Sequence, residues 1–392
     1  MYLIPLSAII ILTLAVIERI KHQKNVESIP IRININGVRG KSTVTRLVTG
    51  IVKEAGYKTI GKTTGTSARM IYWDTPEEKP ILRDPEGPNI KEQKKVVQEA
   101  ADRGAEALIS ECMAVNPDYQ ITFQTIMLQA NIGVIVNVLE DHMDMLGPSL
   151  DDVAESFIST IPYNGKLIVN DSPYVSFYLK EAEKRKTKLI VADASQISED
   201  FLRQFPYVIF PENAALALAV AEALQIDEET ARRGMLNAQP DPGALRIEEI
   251  ESDGQKSPFV NAFAANDAHS TLSIWRRVEQ LGYETERPVV IMNCREDRVD
   301  RTEQFARDVL PEMKISVLVL IGESVGPITE AVGNGSIQPG ELVNMEGKSV
   351  EEAAAAVKQR VNGEVVFGIG NIHGAAEELL VYLKESETVE AV

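Results

Sequence analysis

Eight residues constrain this chain more than any others: Asn36-Gly-Val-Arg-Gly-Lys-Ser-Thr43, set between a strand pattern and a helix pattern. Upstream, Ile29, Ile31, Ile33 and Ile35 alternate with Pro30, Arg32, Asn34 and Asn36, the period of a strand. Downstream, Val44, Leu47, Val48, Ile51, Val52 and Ala55 recur at helical spacing, and Gly56 supplies a stop. A strand running through a glycine turn into a helix aims backbone N–H groups and the positive helix end at one spot, which suits a phosphate. The segment has the parts of a P-loop. Gly37 and Gly40 flank Val38 and Arg39, Lys41 can reach the β- and γ-phosphates, and Ser42, with Thr43 beside it, offers a hydroxyl for Mg2+. Only two residues separate its glycines, where the common P-loop has four.

The rest of the chain repeats the same alternation. Apolar runs at 107–110, 132–138, 167–169, 189–192 and 207–210 lie between amphipathic stretches, predicting an open, mostly parallel α/β sheet. Gln239–Gly243 (QPDPG) is a dense cluster of chain breakers. Beyond it the pattern restarts at 289–292, 317–321 and 365–369, predicting a second, smaller Rossmann-like α/β domain. Residues 63–93 show little periodicity and read as a functional loop or lid.

Residues 2–17 carry no charge and are followed by Arg19, Lys21, His22 and Lys24. The run to Ile20 just reaches the length of a spanning helix, without the features of a cleaved signal peptide; a buried core helix and a monotopic anchor are the alternatives. Basic residues after it place the remainder in the cytoplasm. The expected organisation is an N-terminal membrane anchor helix at 1–22, a polar linker from Gln23 to Ser28, a P-loop domain at 28–243 and a ligase domain at 244–392.

Charge and cysteine content narrow the function. With 40 Lys+Arg against 58 Asp+Glu, net −18, the chain lacks the basic balance that phosphate backbones require, and no nucleic-acid partner is expected. Its two cysteines, Cys112 and Cys294, lie in apolar strand-like runs, as in a reducing compartment.

The shortened G-x-x-G-K-[ST]-[ST] loop resembles that of the Mur ligase superfamily, whose members join an amine to a carboxylate through an acyl phosphate made from ATP. Further marks follow in order. Glu111, at a strand end in LISECMAVNP, resembles the family's Mg2+-holding Glu. Asn137-Val-Leu-Glu-Asp141-His142-Met-Asp144-Met-Leu-Gly147 is similar to its N-x-x-x-DH-x-D-x-x-G motif, whose His approaches a second metal. Asn170-Asp171 resembles its LN-x-DD element. Asn213 in PENAALALAV resembles the Asn that meets adenine. Arg246 in PGALR looks like the Arg of its junction before the last domain, and Asp297-Arg298 resembles its GGDRD loop. There are departures. No Lys stands near Phe157, where many members carry a carbamylated Lys, and Asn261–Asp267 replaces D-x-A-H-N-P.

Within the superfamily, INGVRGKSTVTRL, KTTGTSARMIYWDTPEEKP and GIGNIHGAAE resemble the ligase subunits of bacterial poly-γ-glutamate synthase. That resemblance implies ATP and Mg2+ as cofactors, and glutamate and a growing poly-γ-glutamate chain as substrates. It also implies small membrane subunits as partners at the bacterial membrane, and leaves a homo-oligomer open. By it, Lys41 and the loop hold the phosphates, and Ser42, Glu111 and His142 organise metal. Asn213 meets adenine, and Arg246, Asp297 and Arg298 serve the second domain's approach to nucleotide and acyl phosphate. The alternatives are a folylpolyglutamate-synthase-like ligase, a kinase that releases the acyl phosphate, and a membrane-anchored scaffold that only holds ATP.

Overall fold

The computed structural model describes residues 3–384 except 66, 83–91, 142, 253 and 266. It divides into two compact units, residues up to 205 with 209–244, and residues 206–208 with 245 onward.

The first unit is built on a sheet of eight strands. These are β1 (Ile31–Asn36), β2 (Thr59–Lys62), β3 (Arg69–Tyr72), β4 (Lys79–Pro80), β5 (Ala107–Glu111), β6 (Ile132–Ile135), β7 (Lys166–Asn170) and β8 (Lys188–Ala192). Their spatial order is β4-β3-β2-β5-β1-β6-β7-β8. All neighbours from β2 to β8 pair in parallel, while β3 and β4 add antiparallel strands at one edge. The glycine loop leaves the centre of this sheet, from β1 into the helix α2 (Lys41–Glu54). Val44, Leu47, Val48, Ile51 and Val52 bury that helix's apolar face.

The second unit carries a sheet ordered β13-β12-β11-β14-β10-β9. Its strands are β9 (Ile247–Ser252), β10 (Gln255–Asn261), β11 (Val289–Cys294), β12 (Val317–Gly322), β13 (Glu341–Asn344) and β14 (Val366–Gly370). Five are parallel, and β9 folds back on β10 as an antiparallel hairpin. Two apolar clusters pack on it, one around Trp275, Phe305 and Phe367, the other around Phe259, Phe263 and Leu379.

Several expectations need correction. The N-terminal segment forms one helix, α1 (Leu3–Glu27), so Gln23 to Glu27 is no linker. His22 and Val26 are buried, and that burial carries the helix past its polar end. Among the described residues no helix is long and apolar enough to cross a membrane. Residues 1–2 and the side chains of 3–6 and 8 lie outside those described. Glu18, Arg19 and Lys21 interrupt the apolar run, so the spanning anchor expected at 1–22 is replaced by a helix that is apolar from Ile9 to Ile17 and docked from His22 onward.

Residues 63–82 are not a structureless lid, because β3 and β4 extend the sheet there; residues 83–91 lie outside the described residues. The run 207–210 forms no strand. Val208 instead donates its N–H to the Leu245 carbonyl at 2.7 Å. The β9–β10 hairpin gave no apolar signal because β9 (IEEIES) is an acidic edge strand, a composition that discourages further pairing.

Candidate active site

The loop between β1 and α2 is held from below by the end of β6. Asn137 Oδ1 accepts from the N–H groups of Val38 (3.1 Å) and Arg39 (3.0 Å), and its Nδ2 donates to the Arg39 carbonyl at 3.0 Å. Gly37 turns at φ +128°, and a Cβ there would come within 2.9 Å of the Val136 backbone nitrogen. No side chain fits beneath the turn, so the loop lies tight on β6. The amides in the first turn of α2 are left without intrahelical partners, the usual state of a helix start.

Lys41 curls back over the loop. Its Nζ donates to the carbonyls of Gly37 (2.8 Å) and Val38 (3.0 Å). An ammonium has three N–H donors, so this arrangement fixes the charge above the turn with one donor remaining for an anion. Ser42 Oγ donates to Glu111 Oε2 at 2.8 Å. The same carboxylate accepts from the Thr64 backbone N–H (2.8 Å) and the Thr64 hydroxyl (2.5 Å). Glu111 is 3% exposed and Thr64 7%. A buried carboxylate with three donors keeps its geometry without a partner cation.

Beneath this layer, β1 turns two asparagines inward. Asn34 Nδ2 donates to Gln124 Oε1 (3.0 Å) and Asn36 Nδ2 to Gln120 Oε1 (2.8 Å). Both glutamines come from the helix α4 (Pro117–Thr122) and the π-helical turn Phe123–Leu128 that continues it. Beside Thr64, Lys62 is fully buried and pairs with Glu92 Oε1 at 3.0 Å. Glu92 opens α3 (Glu92–Asp102). Cys112, directly after Glu111, is pushed up to about 11 by burial and is no nucleophile.

Thus Gly37, Val38, Arg39, Gly40, Lys41, Ser42 and Glu111 come together, with Thr43 in the first turn of α2. Asn213 joins them from the helix Pro211–Ala223. Its side-chain amide stands so close to Gly40 that a Cβ there would lie 2.9 Å from Asn213 Oδ1. His142 lies outside the described residues. Its neighbour Asp141 pairs with Arg39 at 3.1 Å. Phe157 is buried in the core with Val153 and Ile161, leaving no lysine at that position. Arg246, Asp297 and Arg298 belong to the second unit. There Asp297 and Arg298 lie exposed in the turn after β11, with Asp297 accepting from Arg295 at 2.8 Å. Lys62 and Thr64 stand in the segment KTTGTSARMIYWDTPEEKP, but periodicity fails there and assigns neither a place in the site. The Thr-Thr-Gly after a short strand was the available signal.

The donor set fits Mg2+. One carboxylate and two hydroxyls are hard oxygen donors, and Mg2+ ordinarily completes its octahedron with water and substrate phosphate. Among the described residues no group of three or more His, Cys, Asp or Glu side chains converges.

Comparison with known proteins places this geometry. The Mur ligase middle-domain family matches residues 35–221, and the poly-gamma-glutamate synthase CapB C-terminal domain family matches residues 247–386. The chain is 58% identical over 392 residues to the PGA synthase CapB of Bacillus subtilis (strain 168), covering 100% of both proteins. It is 60% identical over 386 residues to the capsule biosynthesis protein CapB of Bacillus anthracis, covering 98% of this chain and 83% of that one. Among solved structures, MurF from Acinetobacter baumannii superposes with a TM-score of 0.64 at 15% identity, over 94% of this chain and 79% of that one. Mycobacterium tuberculosis folylpolyglutamate synthase superposes with 0.63 at 16%, over 93% of each. At such identities these two establish the fold alone.

Proposed function

The chain belongs to the Mur ligase family, in the branch of the poly-γ-glutamate synthase CapB proteins, and from that premise we propose that it is an ATP-dependent amide ligase that polymerises glutamate through γ-amide bonds. The observation that carries this reading is Glu111. It is a buried carboxylate held by Ser42 and Thr64 beside a phosphate loop, in a chain 58% identical end to end to a PGA synthase. A module that merely holds a nucleotide has no use for a carboxylate so placed.

In this reading the first-turn amides of α2 and the Lys41 ammonium receive the ATP phosphates. Glu111, Ser42 and Thr64 hold Mg2+, which when bound neutralises phosphate charge. A glutamate γ-carboxylate oxygen attacks the γ-phosphorus, ADP leaves, and an acyl phosphate results. The amine of the next glutamate attacks the acyl carbon, gives up a proton and releases phosphate. Asn137 keeps the loop from shifting as charge moves across it, since preorganised donors lower the barrier where charge develops. His142 is assigned to a second divalent ion, Asn213 to the nucleotide's adenine, and Arg246, Asp297 and Arg298 to substrate handling by the second unit. We assign the enzyme to the cytoplasmic face of a membrane, beside small membrane subunits; the exposed apolar residues of α1 from Ile9 to Ile17, followed by Arg19, Lys21 and Lys24, support this.

Purified full-length protein supplied with ATP, Mg2+ and L- or D-glutamate tests the activity. Phosphate release should require glutamate and should accompany γ-linked polymer. Glutamate-independent release with no polymer would overturn the ligase reading.

A further inference from the structure

We propose that the outer face of α4 and of the π-helical turn Phe123–Leu128 rests on an anionic lipid surface, beside the apolar part of α1. The inference depends on the membrane placement proposed above and adds a second lipid-facing element to it. From Ile9 to Ile20 the large apolar side chains of α1 are each more than half exposed, on every side of the helix. That exposure ends at His22, which is 8% exposed. His22 Nε2 lies 3.0 Å from the carbonyl oxygens of both Ile126 and Met127. Carbonyls only accept, so Nε2 carries the proton and donates. The contact sets Ile126 at the level of residue 22, two residues beyond the last apolar side chain of the exposed run.

At that level the body turns isoleucine outward and glutamine inward. Ile126 is 53% exposed, Ile121 46% and Tyr119 58%, while Gln120 and Gln124 of the same segment are buried on Asn36 and Asn34. Water selects the opposite arrangement for a surface helix. An interfacial tyrosine with its ring in an apolar layer and its hydroxyl in water fits a bilayer boundary.

The charges agree with an anionic surface. Although the chain is net −18, Arg19, Lys21 and Lys24 of α1 and Lys95 of α3 are exposed around this level. Three acids lie nearby: Glu18 is paired with Lys94, Glu27 accepts from Gln23 at 2.9 Å, and Asp118 is exposed in the first turn of α4, so the basic residues outnumber the acids at this level. A basic collar on an acidic protein draws that region alone toward anionic headgroups, while the rest is repelled.

Flotation of the full-length chain with vesicles of phosphatidylcholine, with and without 30% phosphatidylglycerol, tests this (about that fraction gives a clearly negative surface). Three proteins are compared: wild type, Ile121→Glu/Ile126→Glu, and Ile11→Glu/Leu14→Glu in α1. The face variant should bind anionic vesicles roughly tenfold more weakly than wild type, while keeping its ATP turnover in solution, because its substitutions are exposed and lie outside the phosphate site. Wild type should bind anionic vesicles more tightly than neutral ones. If the face variant floats like wild type while the α1 variant does not, the proposal is overturned and membrane placement through α1 stands. If wild type floats with neither vesicle and is not retained by native membranes, both fall. If wild type is retained by native membranes but by no protein-free vesicle, the face docks a membrane protein and the lipid proposal is overturned.

Discussion

Ser42 and Glu111, 69 residues apart in sequence, meet through a 2.8 Å hydrogen bond from the hydroxyl to the carboxylate. One residue lies in the first turn of the helix after β1 and the other closes β5, the immediate neighbour of β1 in the sheet. The bond therefore joins the phosphate loop to the carboxylate assigned to Mg2+, and it organises the first two predictions.

Glu111→Gln keeps the shape and most hydrogen-bonding capacity but removes the charge. Ligation should fall by about 10²–10³ and should not recover at high Mg2+, as expected when a main electrostatic contact is lost. Ser42→Ala removes one hydroxyl and leaves Glu111 held by Thr64. It should cost about tenfold, largely restored by raising Mg2+ (a smaller loss than that of a charged ligand). Mg2+ titrations of glutamate-dependent phosphate release check both. Equal Mg2+ dependence in the two variants would contradict the assignment.

Lys41→Ala takes away the ammonium fixed above Gly37 and Val38. ATP hydrolysis and ligation should decline together by about 10²–10³. A variant that retains near-normal glutamate-dependent turnover would remove Lys41 from the phosphate site.

Asn137→Ala strips the acceptor from two loop N–H groups and the donor from the Arg39 carbonyl. The expected cost is about 1–3 kcal/mol of stability, from unsatisfied backbone groups in a half-buried loop. The KM for ATP should rise more than kcat falls, because the loop's shape is lost before its chemistry. Urea unfolding and steady-state kinetics measure the two effects.

Gly40→Ala meets two obstacles. The backbone sits at φ +79°, which costs an alanine roughly 1–2 kcal/mol, and the new Cβ would lie 2.9 Å from Asn213 Oδ1. Nucleotide binding should be severely weakened. Adding Asn213→Ala relieves the contact but leaves the backbone strain and removes the amide assigned to adenine, so affinity should return only in small part. Full recovery would show that the side-chain contact alone demands glycine, and would remove Asn213 from the adenine site.

Burial pushes the Cys112 thiol up to about 11 and Cys294 up to about 12, from an ordinary 9.0. Iodoacetamide at pH 8 should label neither until the protein unfolds. The sign of the pH effect follows. Below about pH 9 both states keep the proton, while between about 9 and 11 the unfolded chain loses it first, so stability falls as pH rises. Cys112→Ser, which does not ionise in this range, should lessen the drop in urea midpoint between pH 8 and pH 10.

The local elements were legible in the sequence. Ile31, Ile33 and Ile35 alternate, Val44, Leu47 and Ile51 follow a helical period, and glycines mark the turn between them. Each of these signals lies within a few residues and needs no distant partner. The same local reading failed where tertiary contact overrides composition. His22 and Val26 prolong α1 through a polar stretch by burying against the body, and β3 joins an edge of the sheet through pairing with β2 that no periodicity announces.

The sequence by itself determined the strand–loop–helix of the phosphate site, the acidic balance and the family to which the chain belongs, because periodicity, charge and motif spacing are properties of neighbours along the chain. Only the tertiary structure decided what surrounds the loop. The order β2-β5-β1-β6 brings Thr64, Glu111, Ser42 and Asn137 together at the carboxyl ends of neighbouring strands, and the helix Pro211–Ala223 sets Asn213 against Gly40. Parallel strands are linked by long crossovers, so which strands become neighbours, and therefore which side chains share a hydrogen bond, is settled by packing helices onto the sheet rather than by any local pattern.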